Sequence, residues 1–414
     1  MRRTLVLSAF LLPLVPPLLS GDGHDADVLT ARIDAALAGA GPDLIAFRRD
    51  LHQHPELSGE EIRTAEHVAA RLRQLGLEVR TGVGGHGVVA LLRGGQPGPI
   101  VAFRADMDAV PSTDPDPFAF ASLRAGVRHI CGHDIHTTLG LALATGFAAV
   151  RRDLPGSVLF VFQPAEERAT GARAMLADEV FRLAHPSAIY AVHTAPLEVG
   201  RLGTATGPML AGRDRVQVTL AGTGDLDAAA RTVGTQLRAI GTIAPAGARG
   251  PVPADFVMVE LGPPRTPERE RRTLVATLSI ASQPARAAAR RRIELMVHEL
   301  SRPGVTATLN YQERVIAGVT NDSTLVTQGD AALRRVLGDT AVVSVGVVSP
   351  VFSEDFGSFQ AEVPGVMYLL GVSNRARGWV GMPHSPSYMA DESAITIGAR
   401  ALTAVLLDRL RRPR

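Results

Sequence analysis

The chain has 414 residues, 46% hydrophobic and 20% charged, with a formal net charge of +2. That balance excludes a disordered polymer and gives no sign of a nucleic-acid partner. All 43 basic residues are arginine, a single cysteine rules out an intrachain disulfide, and the length suits two domains.

The N-terminus opens on Met1-Arg2-Arg3, followed by an apolar run over residues 5–19 and the small pair Ser20-Gly21. This order reads as a secretory signal peptide over residues 1–21. Pro13, Pro16 and Pro17 interrupt the run, which is short for a membrane span. The expectation is an exported protein, periplasmic or extracellular, with no stable membrane span once the leader is removed. A tether left by an uncleaved leader is the alternative.

From residue 27 to 210 the pattern alternates. Residues 28–38 and 64–75 have apolar positions at three- and four-residue steps, the period of a helix. Residues 87–92, 100–103, 157–162 and 188–192 are short aliphatic runs suited to buried strands, and residues 138–150 read as a buried helix. Such a rhythm predicts an α/β fold with a mainly parallel sheet flanked by helices. Near Gly212 the character changes. Residues 215–221, 273–282 and 305–311 read as strands, with helices over 226–240 and 285–299 between them. Residues 211–317 are therefore expected to form an inserted, smaller α+β lid domain. Residues 318–414 resume the first domain, with helices at 324–337 and 391–410 and strands at 342–348 and 366–370. The arginines around 265–272 and 286–292 read as solvated faces.

Candidate reactive residues sit at the ends of apolar runs. Cys131, His133, Glu167, His193 and His384 supply thiolate, imidazole and carboxylate, a set that binds first-row divalent cations well. Glu166 beside Glu167 divides two tasks, base and ligand; in extended backbone adjacent side chains point apart. Open α/β sheets gather ligands beyond the carboxyl ends of their strands, where Asp106, Asp108, Glu166, Glu167 and His193 fall. A lone cysteine is more often a buried hydrophobe, but the turn-like Cys131-Gly132-His133-Asp134 favours a ligand. Asp106 and Asp108 read equally as orienting carboxylates or as caps, with Asp134 and His136 as further supporting groups. His52 and His54, before a proline at a helix end, read as structural, and Glu354-Asp355 as support for the floor of the site. The glycines of residues 82–87 precede a strand and mark a turn, not a dinucleotide loop. Neither a G-x-S-x-G elbow nor an H-E-x-x-H helix occurs.

Several motifs recur together: Leu51-His52-Gln53-His54-Pro55-Glu56-Leu57, Phe103-Arg104-Ala105-Asp106-Met107-Asp108, residues 131–137, Gln163-Pro164-Ala165-Glu166-Glu167, Val192-His193, Ser353-Glu354-Asp355-Phe356 and Met382-Pro383-His384-Ser385-Pro386. The series resembles the metal-dependent N-acyl-amino-acid amidohydrolases of the aminoacylase and carboxypeptidase clan, hippurate and indoleacetyl-amino-acid hydrolases among them. The resemblance implies two divalent metal ions, zinc or manganese, with Cys131, His133, Glu167, His193 and His384 as ligands. It implies Glu166 as catalytic base and a small-molecule amide as substrate. The lid departs from the pattern: relatives carry a glycine-rich loop ending in histidine after its first strand, whereas residues 220–227 here hold no histidine. An Asn-containing turn is also missing around residues 257–263, and the lid arginine of relatives has no clear counterpart in 275–283. A homodimer, and the ease with which substrate is polarised, are left open by that change. A dipeptidase or carboxypeptidase, and a metal-binding protein without catalysis, are the alternative readings; the presence of Glu166 speaks against the last.

Overall fold

The computed structural model describes residues 22–245, 252–253, 255–263, 270–346, 350 and 352–412, with side chains from Val28 onward. The expected leader lies outside the described residues. No described helix is long and apolar enough to cross a membrane.

Helices α1 (Asp22–Gln53) and α2 (Ile62–Gln74) come first. In α2, Ala65, Val68, Ala69 and Leu72 recur at helical spacing and are buried, while Glu66, Arg73 and Gln74 face outward. Strands β1 (Glu78–Val83), β2 (Gly87–Arg93) and β3 (Gln96–Asp106) follow, and residues 84–86 form the expected turn between the first two. A short ribbon pairs β4 (Val110–Pro111) with β5 (Val127–Arg128). Then come α3 (His133–Ala149), β6 (Pro155–Gln163), α4 (Gly171–Ala177), β7 (Ala188–Glu198) and β8 (Leu202–Thr204). Helix α3 starts at His133, ahead of the expected residue 138, so both histidines of the motif ride on its first turn.

Strand β9 (Gly207–Leu210) leads out to a second layer of β10 (Gly212–Ala221), α5 (Leu226–Ile240), β11 (Val257–Leu261), β12 (Arg271–Ile280), α6 (Gln283–Leu300) and β13 (Thr306–Ile316). The chain returns through β14 (Val319–Asn321), which pairs with β9. It finishes with α7 (Ser323–Leu337), β15 (Val342–Ser344), α8 (Gly357–Gln360), β16 (Gly365–Ser373) and α9 (Ser393–Arg411).

The main sheet has eight strands in the order β1-β2-β6-β3-β7-β16-β8-β15. Its centre, β6-β3-β7-β16, is parallel; β1, β2 and the β16–β8 pair are antiparallel. Alternation along β6 explains why the centre is so apolar. Val158, Phe160 and Phe162 enter the core under α1, α3 and α9, while Leu159 and Val161 enter the opposite core beside Met175 and Phe359.

The lid sheet is antiparallel, β11-β12-β10-β13, and packs its own core of Val216, Val218, Leu278, Val233, Leu237 and Ile293. Asp225 and Ser282 cap α5 and α6 by accepting the backbone N–H of Ala228 and Ala285. Strand β11 was not expected from the sequence: five residues after a proline-rich stretch carry too little alternation to stand out. Arg286 also departs from the expected solvated face. It is 5% exposed and paired with the fully buried Asp214.

Candidate metal centre

The loop before α3 sets the geometry. Gly132 has φ of +92°, and a Cβ there would lie 2.4 Å from the Tyr388 hydroxyl and 2.6 Å from Thr194 Oγ1. Only glycine fits that backbone and that space. Thr194 in turn donates its hydroxyl to the Cys131 carbonyl at 2.5 Å. The sulfur is thereby held beside the end of β7. Cys131 Sγ lies 3.3 Å from His193 Nε2, and His193 Nδ1 is 2.8 Å from the Thr194 carbonyl, which fixes the tautomer with Nε2 facing the sulfur.

His133 approaches from the first turn of α3. Its Nδ1 lies 3.2 Å from Asp108 Oδ1, while its buried Nε2 has no hydrogen-bond partner among the described residues. Glu166 Oε2 and Glu167 Oε1 stand 3.9 and 3.7 Å from that nitrogen. His384 Nε2 comes within 3.3 Å of Glu167 Oε1 from the far end of the chain. His384 has φ of 59°, and the Ser385 N–H donates to the Met382 carbonyl; Pro383 and His384 therefore occupy the centre of a type II turn. A non-glycine residue in that left-handed position is uncommon and typical of functional sites.

Potential ligand atoms of Cys131, His133 and His193 lie within 4.8 Å of one another, as do those of Cys131, Glu167 and His384 and those of His133, Glu166 and Glu167. Cys131 thus belongs to two groups, and Glu167 joins the second to His133. Buried lone pairs without partners cost free energy unless something accepts them, and sulfur, imidazole nitrogen and carboxylate oxygen suit first-row cations. The donor set fits a pair of divalent metal ions.

Electrostatics divide the carboxylates. Burial, then the charges of Glu354 and Glu167, push Glu166 well above the ordinary glutamate range. Glu167 is held low: burial opposes this, but His384 and His133 outweigh it. Burial pushes the Cys131 thiol up, and a bound cation would displace its proton. His193 is lowered to about 3 by burial and by the neighbouring His136, so it is a neutral imidazole. His384 is raised to about 10 by Cys131 and Glu167.

The sequence expectation for the glutamate pair needs one correction. Glu166 and Glu167 lie in a turn that follows Ala165, whose φ is 52°, not in extended backbone. Both carboxylates consequently reach the same imidazole. The turn is pinned by Ala165 N–H to Glu61 Oε1 at 2.8 Å and Glu167 N–H to Asp108 Oδ2 at 2.9 Å.

The remaining expected residues support this centre in different ways. Asp106 Oδ1 lies 2.6 Å from His136 Nδ1, and His136 Nε2 accepts the Thr194 N–H at 2.8 Å. Both His136 nitrogens are spent, so it braces β3 against β7. Asp108 takes hydrogen bonds from Ser58 and Glu167 and faces His133. Asp134 points elsewhere, to Arg48 Nε at 2.8 Å and His52 Nδ1 at 2.7 Å. His52 bridges onward to Asp116 at 3.0 Å, and His54 bonds the Asp50 carbonyl at 2.9 Å.

Glu354 and Asp355 do form the floor, around an arginine that sequence reasoning passed over. Arg104, 0% exposed, reaches Asp106 at 2.6 Å, Glu354 at 2.8 Å, Asp355 at 3.4 Å and Gln163 at 2.8 Å. A charge inside the apolar run Ile100-Val101-Ala102-Phe103 was the available signal. Ser58, Glu61 and Thr194 were also missed, and nothing in their local sequence marks them.

Residues 102–408 match Peptidase family M20/M25/M40. The chain belongs to this family. Among curated relatives, a probable hydrolase of Synechocystis is 33% identical over 87% of this chain and 94% of its own length. N-acetylcysteine deacetylase of Bacillus subtilis is 30% identical over 89% of this chain and 98% of that one. Among solved structures, a putative aminohydrolase of methicillin-resistant Staphylococcus aureus superposes with a TM-score of 0.82 at 26% identity, covering 92% of this chain and 100% of that one. A dinuclear metal-binding peptidase of Bacillus subtilis from the M20 family superposes at 0.74 with 28% identity, covering 89% and 98%. Membership of the M20/M25/M40 family makes the protein a metal-dependent hydrolase of amide bonds with a dinuclear metal site.

Proposed function

We propose that the protein hydrolyses N-acyl amino acids or closely related small amides after export. Glu166 is the general base, and Cys131, His133, Glu167, His193 and His384 hold two ions, zinc or manganese. One observation carries the reading: Glu166, buried and without an arginine ion pair among the described residues, stands 3.9 Å from His133 Nε2, which has no hydrogen-bond partner among them, at the edge of the ligand groups. When bound, the metal pair supplies Lewis acidity and lowers the pKa of a water.

The chain's own groups divide the remaining work. Glu166 Oε2 accepts the proton as water attacks the substrate carbonyl, and returns it to the departing amine nitrogen. Burial and the flanking carboxylates raise its affinity for that proton, as a base that must also act as acid requires. Asp108 aims His133, and the His193 tautomer is set by the Thr194 carbonyl.

The substrate class is supported by the N-acetylcysteine deacetylase of Bacillus subtilis and an indoleacetyl-amino-acid hydrolase-like protein of Arabidopsis thaliana, each 30% identical to this chain. Export is supported by the basic, apolar and small-residue order of residues 1–21. A dipeptidase reading keeps the same chemistry; the loop over residues 220–227, without histidine, is what favours it. Amine release from N-acyl amino acids and from dipeptides, with zinc- or manganese-loaded protein and Glu166→Gln alongside, decides between them. Turnover of acyl amino acids that disappears in the variant supports the proposal. Stoichiometric metal with no turnover of either class overturns it.

A further inference from the structure

The lid and the main domain meet at the β9–β14 ribbon, and a cavity of about 450 Å³ opens beside it. From the lid it is lined by Gly212, Ser282, Gln283, Arg286 and Arg314; from the other side by Pro208, Gly357 and Gln360. None of the metal-centre residues lines it, and neither does any carboxylate.

The two arginines are placed by Asp214. Its fully buried carboxylate takes Arg286 Nε at 3.0 Å, the Tyr311 hydroxyl at 2.8 Å and the Arg314 N–H at 2.8 Å. Arg286 Nη1 donates to Gln283 Oε1 at 3.0 Å. Its Nη2 makes no hydrogen bond within the described residues and lies 2.7 Å from where a Cβ on Gly212 would sit. Arg314 interrupts the β10–β13 register with φ of 49°, as in a bulge, and lines the cavity. Its guanidinium has no ion-pair partner among the described residues. The first turn of the 18-residue helix α6, with its partial positive charge, borders the same space.

We infer that this cavity is a second ligand site, in which Arg286 Nη2 and Arg314 hold a small oxyanion, a carboxylate or a phosphate, across the junction of the two domains. Guanidinium groups bind such oxyanions through paired, charge-assisted hydrogen bonds, and the apolar walls keep the anion from full hydration. An occupant touching both sides joins Gly212 of the lid to Gly357. Gly357 already lies so close to Gly318 that a Cβ would meet its carbonyl at 1.7 Å. The occupied site therefore restrains the β9–β14 ribbon that joins the lid to the main domain.

The test is amide hydrogen exchange of residues 207–212 and 317–321 in the intact protein, at constant ionic strength. Inorganic phosphate, acetate or chloride is the only variable. Phosphate or acetate should slow exchange there, and titration distinguishes which of the two is preferred. Arg314→Gln should weaken the effect at least about tenfold in concentration, and Ala317→Asp, which adds a carboxylate to the lining, should abolish it. Both positions are at least partly exposed, so the variants fold, whereas removing Arg286 would strand Asp214. No slowing relative to chloride overturns the inference. Equal slowing in the wild type and both variants does so too.

Discussion

Asp108 serves His133 and Glu167 at once: one oxygen lies 3.2 Å from His133 Nδ1 and the other accepts the Glu167 N–H at 2.9 Å. A single carboxylate thus sets the direction of an imidazole from α3 and of the turn after β6. Asp108→Ala should lower metal affinity about 10- to 100-fold, the usual consequence of losing a group that orients a ligand. Competition with a calibrated chelator measures it, and an unchanged affinity would remove Asp108 from the site.

Cys131 belongs to both groups of potential ligands, so its loss should be felt at two positions rather than one. Cys131→Ser is expected to reduce bound metal below two equivalents and to weaken what remains. Elemental analysis after gel filtration reads this directly. Two retained equivalents at undiminished affinity would show that the sulfur is not shared.

Among the described residues, Arg104 is the one arginine that contacts Asp106, Glu354 and Asp355 in the floor. Arg104→Met keeps the length of the side chain but leaves buried carboxylates uncompensated, a defect that costs about 3–5 kcal/mol. Urea unfolding of the metal-free proteins should show that loss. Burial and the nearby Glu354 already raise Asp355 to about 7, and Arg104 opposes them. The variant should therefore recover part of its stability as the pH falls and these carboxylates take up protons.

Asp330 makes a pH prediction of its own. It is half-buried on α7, one oxygen has no partner, and burial raises it from 3.8 to about 6. Folding raises this acid's proton affinity, so its contribution is fully present below pH 3.8 and is lost as pH rises through 6. At pH 8 the charged form is the unfavourable one. Asp330→Asn should stabilise the protein there by about 1 kcal/mol, after discounting for partial exposure, and should give no gain at pH 4. Thermal melts at the two pH values check the sign.

The fold was legible where one physical rule dominated. Aliphatic runs at residues 157–162 and 188–192 could only be strands buried on both faces, and α5 has the bounds its periodicity predicts. Strand β11 was hidden because an edge strand of five residues borrows its regularity from its neighbour β12. At the site, residue type and position at the ends of apolar runs singled out Cys131, His133, Glu167, His193 and His384, which the structure brings together. The sequence could not reveal that His136 spends both nitrogens on Asp106 and Thr194, or that Asp134 turns toward Arg48. Those choices depend on how β3, β7 and α3 lean on one another. Glu166 and Glu167 were misjudged in geometry because Ala165, an ordinary residue, adopts a left-handed turn that no local signal announces.

The order of the chain has a consequence for biosynthesis. Cys131, His133, Glu166, Glu167 and His193 precede the lid, whereas Glu354, Asp355 and His384 follow it, and β16 slots between β7 and β8 only after the lid has been threaded. A nascent chain that has emerged as far as the lid has an open sheet and an Arg104 without two of its three carboxylate partners. The amide-cleaving centre therefore cannot assemble before Glu354, Asp355 and His384 have been made. A metal ion that arrives early meets only some of the potential ligands, and the group is complete only after β16 has closed the sheet and His384 has followed.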